Sequence, residues 1–155
     1  MKHLLFVGIG LVLLLVPFAV ARLAGVPSAK AGRISVAVIF LLAALAHFVK
    51  STEMAALIPP VVSLAVRQGL VIATGGIELA FAALLVLPVC PRLTGLAVVA
   101  YLVAVTPFNV YGAMEKVPLG GHDLPGYLWV RLPLQVLLIG WTWWFAVRAR
   151  VRARP

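Results

Sequence analysis

Long apolar runs dominate this sequence and leave few choices for its fold. Five segments, at roughly 3–21, 34–50, 65–87, 93–114 and 126–147, are almost free of charged side chains. A hydrocarbon core of about 30 Å is crossed by about 17–25 apolar residues in a helix. Lipid offers no hydrogen-bond partners to the backbone, and none of the runs shows the alternation of a barrel strand. The sequence therefore predicts an all-α membrane protein with five transmembrane helices.

The composition excludes a soluble globular domain and a disordered chain. Apolar residues make up 64% of the chain and charged residues 11%, whereas soluble domains have about 45–50% and about 25%. The single cysteine, Cys90, excludes an intramolecular disulfide, a dithiol redox pair and a cysteine-ligated iron–sulfur cluster. The net charge of +9 comes from loops and the C-terminal tail, so we expect membrane lipids rather than nucleic acid as partners.

The loop charges predict an orientation. With the N-terminus outside, three lysines fall outside (Lys2, Lys50 and Lys116) and eight basic residues fall inside: Arg22, Lys30, Arg33, Arg92, Arg148, Arg150, Arg152 and Arg154. Basic residues in short loops stay on the cytoplasmic side. The C-terminus is therefore predicted to be cytoplasmic. Trp129 near the outer boundary and Trp143 and Trp144 near the inner one agree with this orientation.

The first apolar run has two interpretations. A basic start, an apolar run and the triplet Ala19-Val20-Ala21 are typical of a cleaved secretory signal. Cleavage would place Arg22, Lys30 and Arg33 outside and invert the charge bias, so we favour a retained helix. The predicted organisation is an N-terminal helix over 1–22, a four-helix domain over 33–147 and a basic tail over 148–155.

Polar side chains inside the predicted spans form the candidate site. A charge near the centre of a membrane helix costs at least about 2.5–3.5 kcal/mol, which makes each one a functional hypothesis. At 1.5 Å per residue, these groups lie between roughly 5 and 21 Å from the outer boundary. Four different helices contribute them. The predicted ligand-binding residues are His47, Glu78, Asn109, Arg131 and Gln135.

The third predicted helix carries two distinct faces. Arg67, Thr74 and Glu78 fall within about 40° of one another at 100° per residue. Four small residues occupy the nearly opposite side: Ala73, Gly76, Ala80 and Ala83. Small residues let a neighbouring backbone approach closely. We therefore expect the small face to be tightly packed, the polar face to line a cavity and this helix to be central in the bundle.

Several pairings remain open at this level. Arg131 and Glu78 are predicted to pair directly or through Gln135, either to hold a ligand or only to fix helix packing. Pro107 removes a backbone N–H and bends its helix, so Asn109 either borders a pocket or satisfies the freed carbonyl. His47 is a proton shuttle, a metal ligand together with His122, or a hydrogen-bonded interfacial histidine.

Four stretches of the sequence carry a resemblance to a known family. They are HFVKSTEMAALIPP, TGGIELAFAALLVLP, VTPFNVYGAM and WVRLPLQVLLIGW, within residues 40–145. Together they resemble the DoxX-like family of small bacterial membrane proteins. The resemblance implies a four-helix transmembrane core, preceded here by one extra helix, in a bacterial plasma membrane. The matching positions are His47, Pro59, Pro60, Glu78, Pro107, Asn109, Arg131, Pro133 and Gln135, of which the prolines are expected to be structural.

The resemblance also implies a function. Named relatives are associated with quinone-linked oxidation of sulfur compounds, with methylamine utilisation and with oxidative-stress complexes. We expect a redox-associated protein with no intrinsic cofactor that binds a quinone or a similar lipid-soluble molecule and receives electrons from a redox partner protein. The alternative is a non-catalytic membrane anchor or assembly subunit. A transporter is less favoured because internal repeats are absent.

Overall fold

The computed structural model describes residues 2–87, 89–117 and 127–149, with side chains from residue 7 onward and from residue 129 in the last range. Every regular element within these ranges is helical. The elements are α1 (Lys2–Leu23), α2 (Ser28–Val49), the short α3 (Ser51–Ala55), α4 (Leu64–Val86), α5 (Pro91–Met114), α6 (Tyr127–Thr142) and a π-helical turn (Trp143–Val147).

The long helices have the dimensions and surface of membrane spans. Four are long and apolar enough to cross a membrane by length and composition: Ser28–Val49, Leu64–Val86, Pro91–Met114 and Trp129–Val147. A shorter apolar helix, Val7–Leu23, precedes them. Large apolar side chains point outward along the spans, for example Val103 at 57% and Val136 at 69% exposure. The predicted all-α membrane fold, a four-helix core with an extra N-terminal helix, is confirmed.

Local signals set the helix boundaries. The Ser63 hydroxyl accepts a hydrogen bond from the Val66 N–H at the start of α4, and Pro91 opens α5 at a position where no N–H is needed. The second helix begins earlier than predicted, so Lys30 and Arg33 lie in its first turns rather than in a loop. The turn predicted after that helix contains α3.

Helix α2, and not α4 as predicted, is the central element. It contacts α1, α3, α4, α6 and the π-helical turn. Val36 and Phe40 of α2 pack with Leu85 of α4 and Val98 of α5 in the largest buried cluster. The Trp141 Nε1–H donates to the Gly32 carbonyl at 3.2 Å and to the Ser35 hydroxyl at 3.1 Å. These bonds fix α6 against α2.

The prediction of a tightly packed small-residue face on α4 is wrong. Ala73, Gly76, Ala80 and Ala83 are exposed, and no neighbouring heavy atom lies within 4 Å of a Cβ built on Gly76. The buried positions are Val71, Gly75, Glu78, Ala82 and Leu85. Lipid accepts small apolar side chains at little cost but not a carboxylate. Helix α4 therefore turns its polar face into the bundle and its small face outward.

Helix α1 packs on α2 and α6. A Cβ built on Gly10 would lie 2.7 Å from Leu134 Cδ1, so α1 and α6 are in close contact at this point. Further along, the Phe18 ring lies 5.3 Å from the Trp141 ring and 5.4 Å from the Phe145 ring. This contact closes one side of the bundle.

Candidate functional site, an apolar cavity with polar lining residues

A cavity of about 190 Å³ lies between α1, α2, α4, α5 and α6. Most of its wall is apolar and includes Leu14, Phe40, Leu102 and Leu138. Its polar lining residues are Glu78, Tyr101, Asn109, Arg131 and Gln135. Four of the five predicted site residues therefore line one cavity. The fifth, His47, lies behind Glu78 and contacts it directly.

The Glu78 carboxylate is held by two side chains. The Tyr101 hydroxyl donates a hydrogen bond to Oε1 at 2.9 Å. On the other oxygen, His47 Nδ1 lies 3.0 Å from Oε2. Glu78 is 7% exposed, and a buried carboxylate needs partners in place of water. Oε1 has one in Tyr101, whereas Oε2 has the contact with His47 but accepts no hydrogen bond from the described residues. The resulting row of side chains joins α2, α4 and α5.

The predicted Arg131–Glu78 ion pair is replaced by a different one. Among the described side chains, the ion pairs are His47–Glu78 and Lys50–Glu53. Gly75 explains why His47, and not Arg131, pairs with Glu78. A Cβ at position 75 would lie 2.8 Å from His47 Cβ. Without that side chain, α2 approaches α4 closely enough for His47 to reach Glu78. Arg131 lines the same cavity as Glu78.

A second group of polar side chains ties α6 to α5. The Asn109 amide donates to Gln135 Oε1 at 2.7 Å. The Gln135 amide donates to the Leu102 carbonyl at 2.6 Å and to the Thr106 hydroxyl at 2.8 Å. Asn109 therefore bonds to a neighbouring helix, and its amide donor does not go to the carbonyl freed by Pro107. Gln135 does not bridge to Glu78 through any of these bonds.

Other predicted residues lie elsewhere. Arg67 Nη1 is 3.4 Å from both the Ala55 and the Ile58 carbonyl oxygens, so Arg67 caps the end of α3 and does not line the cavity. Pro107 and Pro133 lie inside α5 and α6, which continue through them, and Pro59 and Pro60 follow α3. His122 and the tail arginines Arg150, Arg152 and Arg154 lie outside the described residues.

Tyr101 is the site residue that the sequence analysis missed. It lies eight residues before Asn109 in α5, and the spacing of i, i+4 and i+8 places Tyr101, Val105 and Asn109 on one helix face. All three line the cavity. A tyrosine in the middle of an apolar helix needs a partner for its hydroxyl. That spacing was the signal from which the residue could have been found.

We expect Gln135→Leu to lower the free energy of unfolding by about 2 kcal/mol, because it removes three hydrogen bonds and leaves the Asn109 amide buried without its acceptor. Denaturant unfolding in mild detergent, followed by tryptophan fluorescence, measures this loss. The matched control is Val136→Leu on the adjacent, 69% exposed position. Equal stability of the two variants would contradict the assigned role of Gln135.

Comparison with known proteins places the chain in a family. No curated protein and no solved structure shows significant similarity to it. Residues 36–146, which span the four-helix core from α2 to the π-helical turn, match the family described as "Domain of unknown function (DUF8561)". The match covers well over half of the chain and begins after α1. The chain belongs to the DUF8561 family.

Proposed function

We propose that this membrane protein binds a lipid-soluble small molecule with a carbonyl-bearing ring, such as a quinone, in the cavity between its helices. The observation that carries the proposal is a mostly apolar cavity lined by a few polar side chains from three helices, the usual form of a small-molecule site. Its size suits a single ring, because a cavity of about 150 Å³ is enough for benzene. At about 190 Å³, this cavity accepts a ring with a few substituents.

The lining fits the two ends of such a molecule. A guanidinium offers several N–H donors to a carbonyl oxygen, and Arg131 supplies one in the cavity lining. The apolar part of the lining includes Leu137, which is also 39% exposed on the bundle surface. An apolar tail attached to the ring would therefore pass a short distance between helices into lipid.

The wider biological role follows from the DoxX-like resemblance. We place the protein among redox-associated multi-pass proteins of the bacterial plasma membrane, with a redox partner protein as the electron source. The exposed basic residues Arg22, Arg92 and Arg148 fall on the cytoplasmic side when the N-terminus is outside. With this orientation, the end of α2 that carries His47 lies toward the outer surface.

The packing of α1 supports a retained first helix. Leu14 is 3% exposed, and Gly10, Leu13 and Leu14 all line the cavity. Removal of α1 would open that wall to lipid. The family match starts at residue 36, which fits the division into an N-terminal helix and a four-helix domain.

Analysis of co-purifying lipids tests the proposal. We expect the wild-type protein, purified in mild detergent, to retain a quinone detectable by mass spectrometry, and we expect Glu78→Gln and Arg131→Ala to retain at least tenfold less. The matched controls are Glu115→Gln and Arg92→Ala, because both residues are exposed at helix ends. Equal quinone content in the wild-type protein and the two cavity variants would overturn this proposal.

The second candidate function is a non-catalytic anchor or assembly subunit. The hydrogen bonds among Asn109, Gln135, Leu102 and Thr106 favour it, because they are used entirely to join α5 to α6. In that case the polar groups only lock the bundle, and removing all of them together leaves the biological role intact.

A further inference from the structure

Helix α1 lies along α6 and touches it at two points. The α1 backbone at Gly10 lies against the Leu134 side chain. Further along, the Phe18 ring lies 5.3 Å from the Trp141 ring. The residue numbers of both helices increase from the first contact to the second, so α1 and α6 are parallel. Leu134 and Trp141 are two turns apart and share one face of α6, and α1 covers that face.

The cavity lining extends to both sides of this contact face of α6. At 100° per residue, Arg131 and Gln135 lie about 60–100° to one side of Leu134, and Leu137 lies about 60° to the other side. All four residues line the cavity. Gln135 is 8% exposed and marks the interior side of the face, whereas Leu137 is 39% exposed and marks the lipid side. The cavity therefore passes between α1 and α6 to reach Leu137.

Helix α1 supplies the other wall of this opening. Leu13 and Leu14 line the cavity from α1. Along the helix they lie between its two contact points, as Leu137 does on α6. The opening is therefore bounded by a helix contact at each end and by leucine side chains along its walls. Such walls offer no hydrogen bond to a polar molecule but accept an apolar one from lipid. The family match begins at residue 36, so α1 supplies its wall from outside the matched range.

We propose that ligands enter the cavity sideways from lipid, through the opening between α1 and α6 at Leu137, and that this opening restricts them to rings with a single apolar chain. The leucine side chains change rotamer to let the ring pass, and the chain then remains in the opening. A second chain would have to fit inside the cavity beside the ring. The restriction rests on the proposed function, because it requires a ring in the cavity, whereas the entry route does not.

The variant Leu137→Trp narrows the opening and leaves every polar lining residue in place. Its matched control is Val136→Trp, which adds the same side chain at the adjacent position, where Val136 is 69% exposed and does not line the cavity. Both positions are exposed on the bundle surface, so we expect both variants to fold. Size-exclusion profiles and thermal unfolding in mild detergent check this before access is measured.

Access is measured on ligand-free protein with N-ethylmaleimide, a small lipid-soluble ring with two carbonyl groups. Leu102→Cys places a thiol in the cavity wall on α5, at a position that is 7% exposed, and Cys90→Ser removes the native thiol. The sulfur adds to one carbon of the maleimide double bond and a proton to the other, so mass spectrometry of the intact protein counts the labelled molecules. Val105→Cys, which also lines the cavity from α5, is the second reporter.

We expect Leu137→Trp to slow labelling of the cavity thiol at least tenfold and Val136→Trp to leave its rate within twofold. Equal rates in the two tryptophan variants would overturn the entry route. So would a cavity thiol that reacts only after the protein is unfolded.

The restriction to one chain is tested by the equilibrium binding of two benzoquinones, one with a single decyl chain and one with two. We expect the quinone with two chains to bind at least tenfold more weakly, and equal binding would overturn the restriction. If neither quinone binds but Leu137→Trp still slows labelling, the route stands, and the restriction fails together with the proposed function. If quinone binds but labelling does not depend on Leu137, only the route is overturned.

Discussion

Glu78→Leu is expected to lower the free energy of unfolding by about 3–5 kcal/mol, the usual cost of removing one partner from a buried pair. The substitution leaves the Tyr101 hydroxyl without the oxygen to which it donates at 2.9 Å. It also removes the carboxylate that lies 3.0 Å from His47 Nδ1, while Nδ1 keeps the Ala43 carbonyl oxygen at 2.8 Å. Denaturant unfolding in mild detergent measures the loss. The exposed Glu115 at the end of α5 provides the control, since Glu115→Leu should change stability by less than about 0.5 kcal/mol.

The triple variant His47→Leu, Glu78→Leu, Tyr101→Phe tests whether the polar row is there for stability or for binding. Apolar side chains of similar volume often replace a buried ion pair without loss of stability. We therefore expect the triple variant to recover to within about 1 kcal/mol of wild type. It should nevertheless lose co-purified quinone.

The outcome of the triple variant separates the two candidate functions. A stable triple variant that keeps its biological role would support the anchor and reject the binding site. A triple variant no more stable than Glu78→Leu would show that the predicted cost does not come from the contacts that His47 and Tyr101 lose when the carboxylate is removed.

The second large loss of stability is predicted at Gly75, one of two adjacent glycines on α4. We expect Gly75→Leu to lower the free energy of unfolding by about 3 kcal/mol, because overpacking a tight contact costs about 1–3 kcal/mol or more. The first atom added to Gly75 already lies 2.8 Å from His47 Cβ and 3.5 Å from the Ala44 carbonyl oxygen. The new side chain must therefore push α2 away from α4.

Gly76→Leu is the matched control on the next residue. No neighbouring heavy atom lies within 4 Å of a Cβ at this position, and leucine is a better helix former than glycine by nearly 1 kcal/mol. Its stability should equal or slightly exceed that of wild type. Unfolding midpoints of the two variants are compared under identical conditions. A Gly75→Leu protein as stable as Gly76→Leu would contradict the close α2–α4 contact.

The Gly75 contact also links packing to the site. The same absence of a side chain that lets α2 approach α4 brings His47 to Glu78. A variant that separates these helices should therefore move His47 away from Glu78 as well as weaken the bundle. The smaller Gly75→Ala change is suited to detecting the loss of the His47–Glu78 contact. Alanine adds only the Cβ and requires a smaller displacement of α2.

Much of the architecture follows from the apolar runs alone. A backbone in lipid must satisfy its hydrogen bonds internally, so each run of sufficient length is a helix. The cost of polar groups in lipid also predicts that Glu78, Asn109, Arg131 and Gln135 turn inward. These four side chains do line one cavity. Tyr101 could have been added to them from its spacing to Asn109.

The pairing of these groups was decided only by the tertiary structure. Helical periodicity gives the face on which a residue lies but not which helix covers that face, nor how closely it approaches. For this reason the small face of α4 was predicted to be packed and is exposed, and Arg131 was predicted to pair with a carboxylate that contacts His47 instead. The sequence by itself determined which side chains lipid would exclude. Close contact between α2 and α4 at Gly75 determined which of them meet, because a side-chain pair depends on differences of a few ångströms in helix separation.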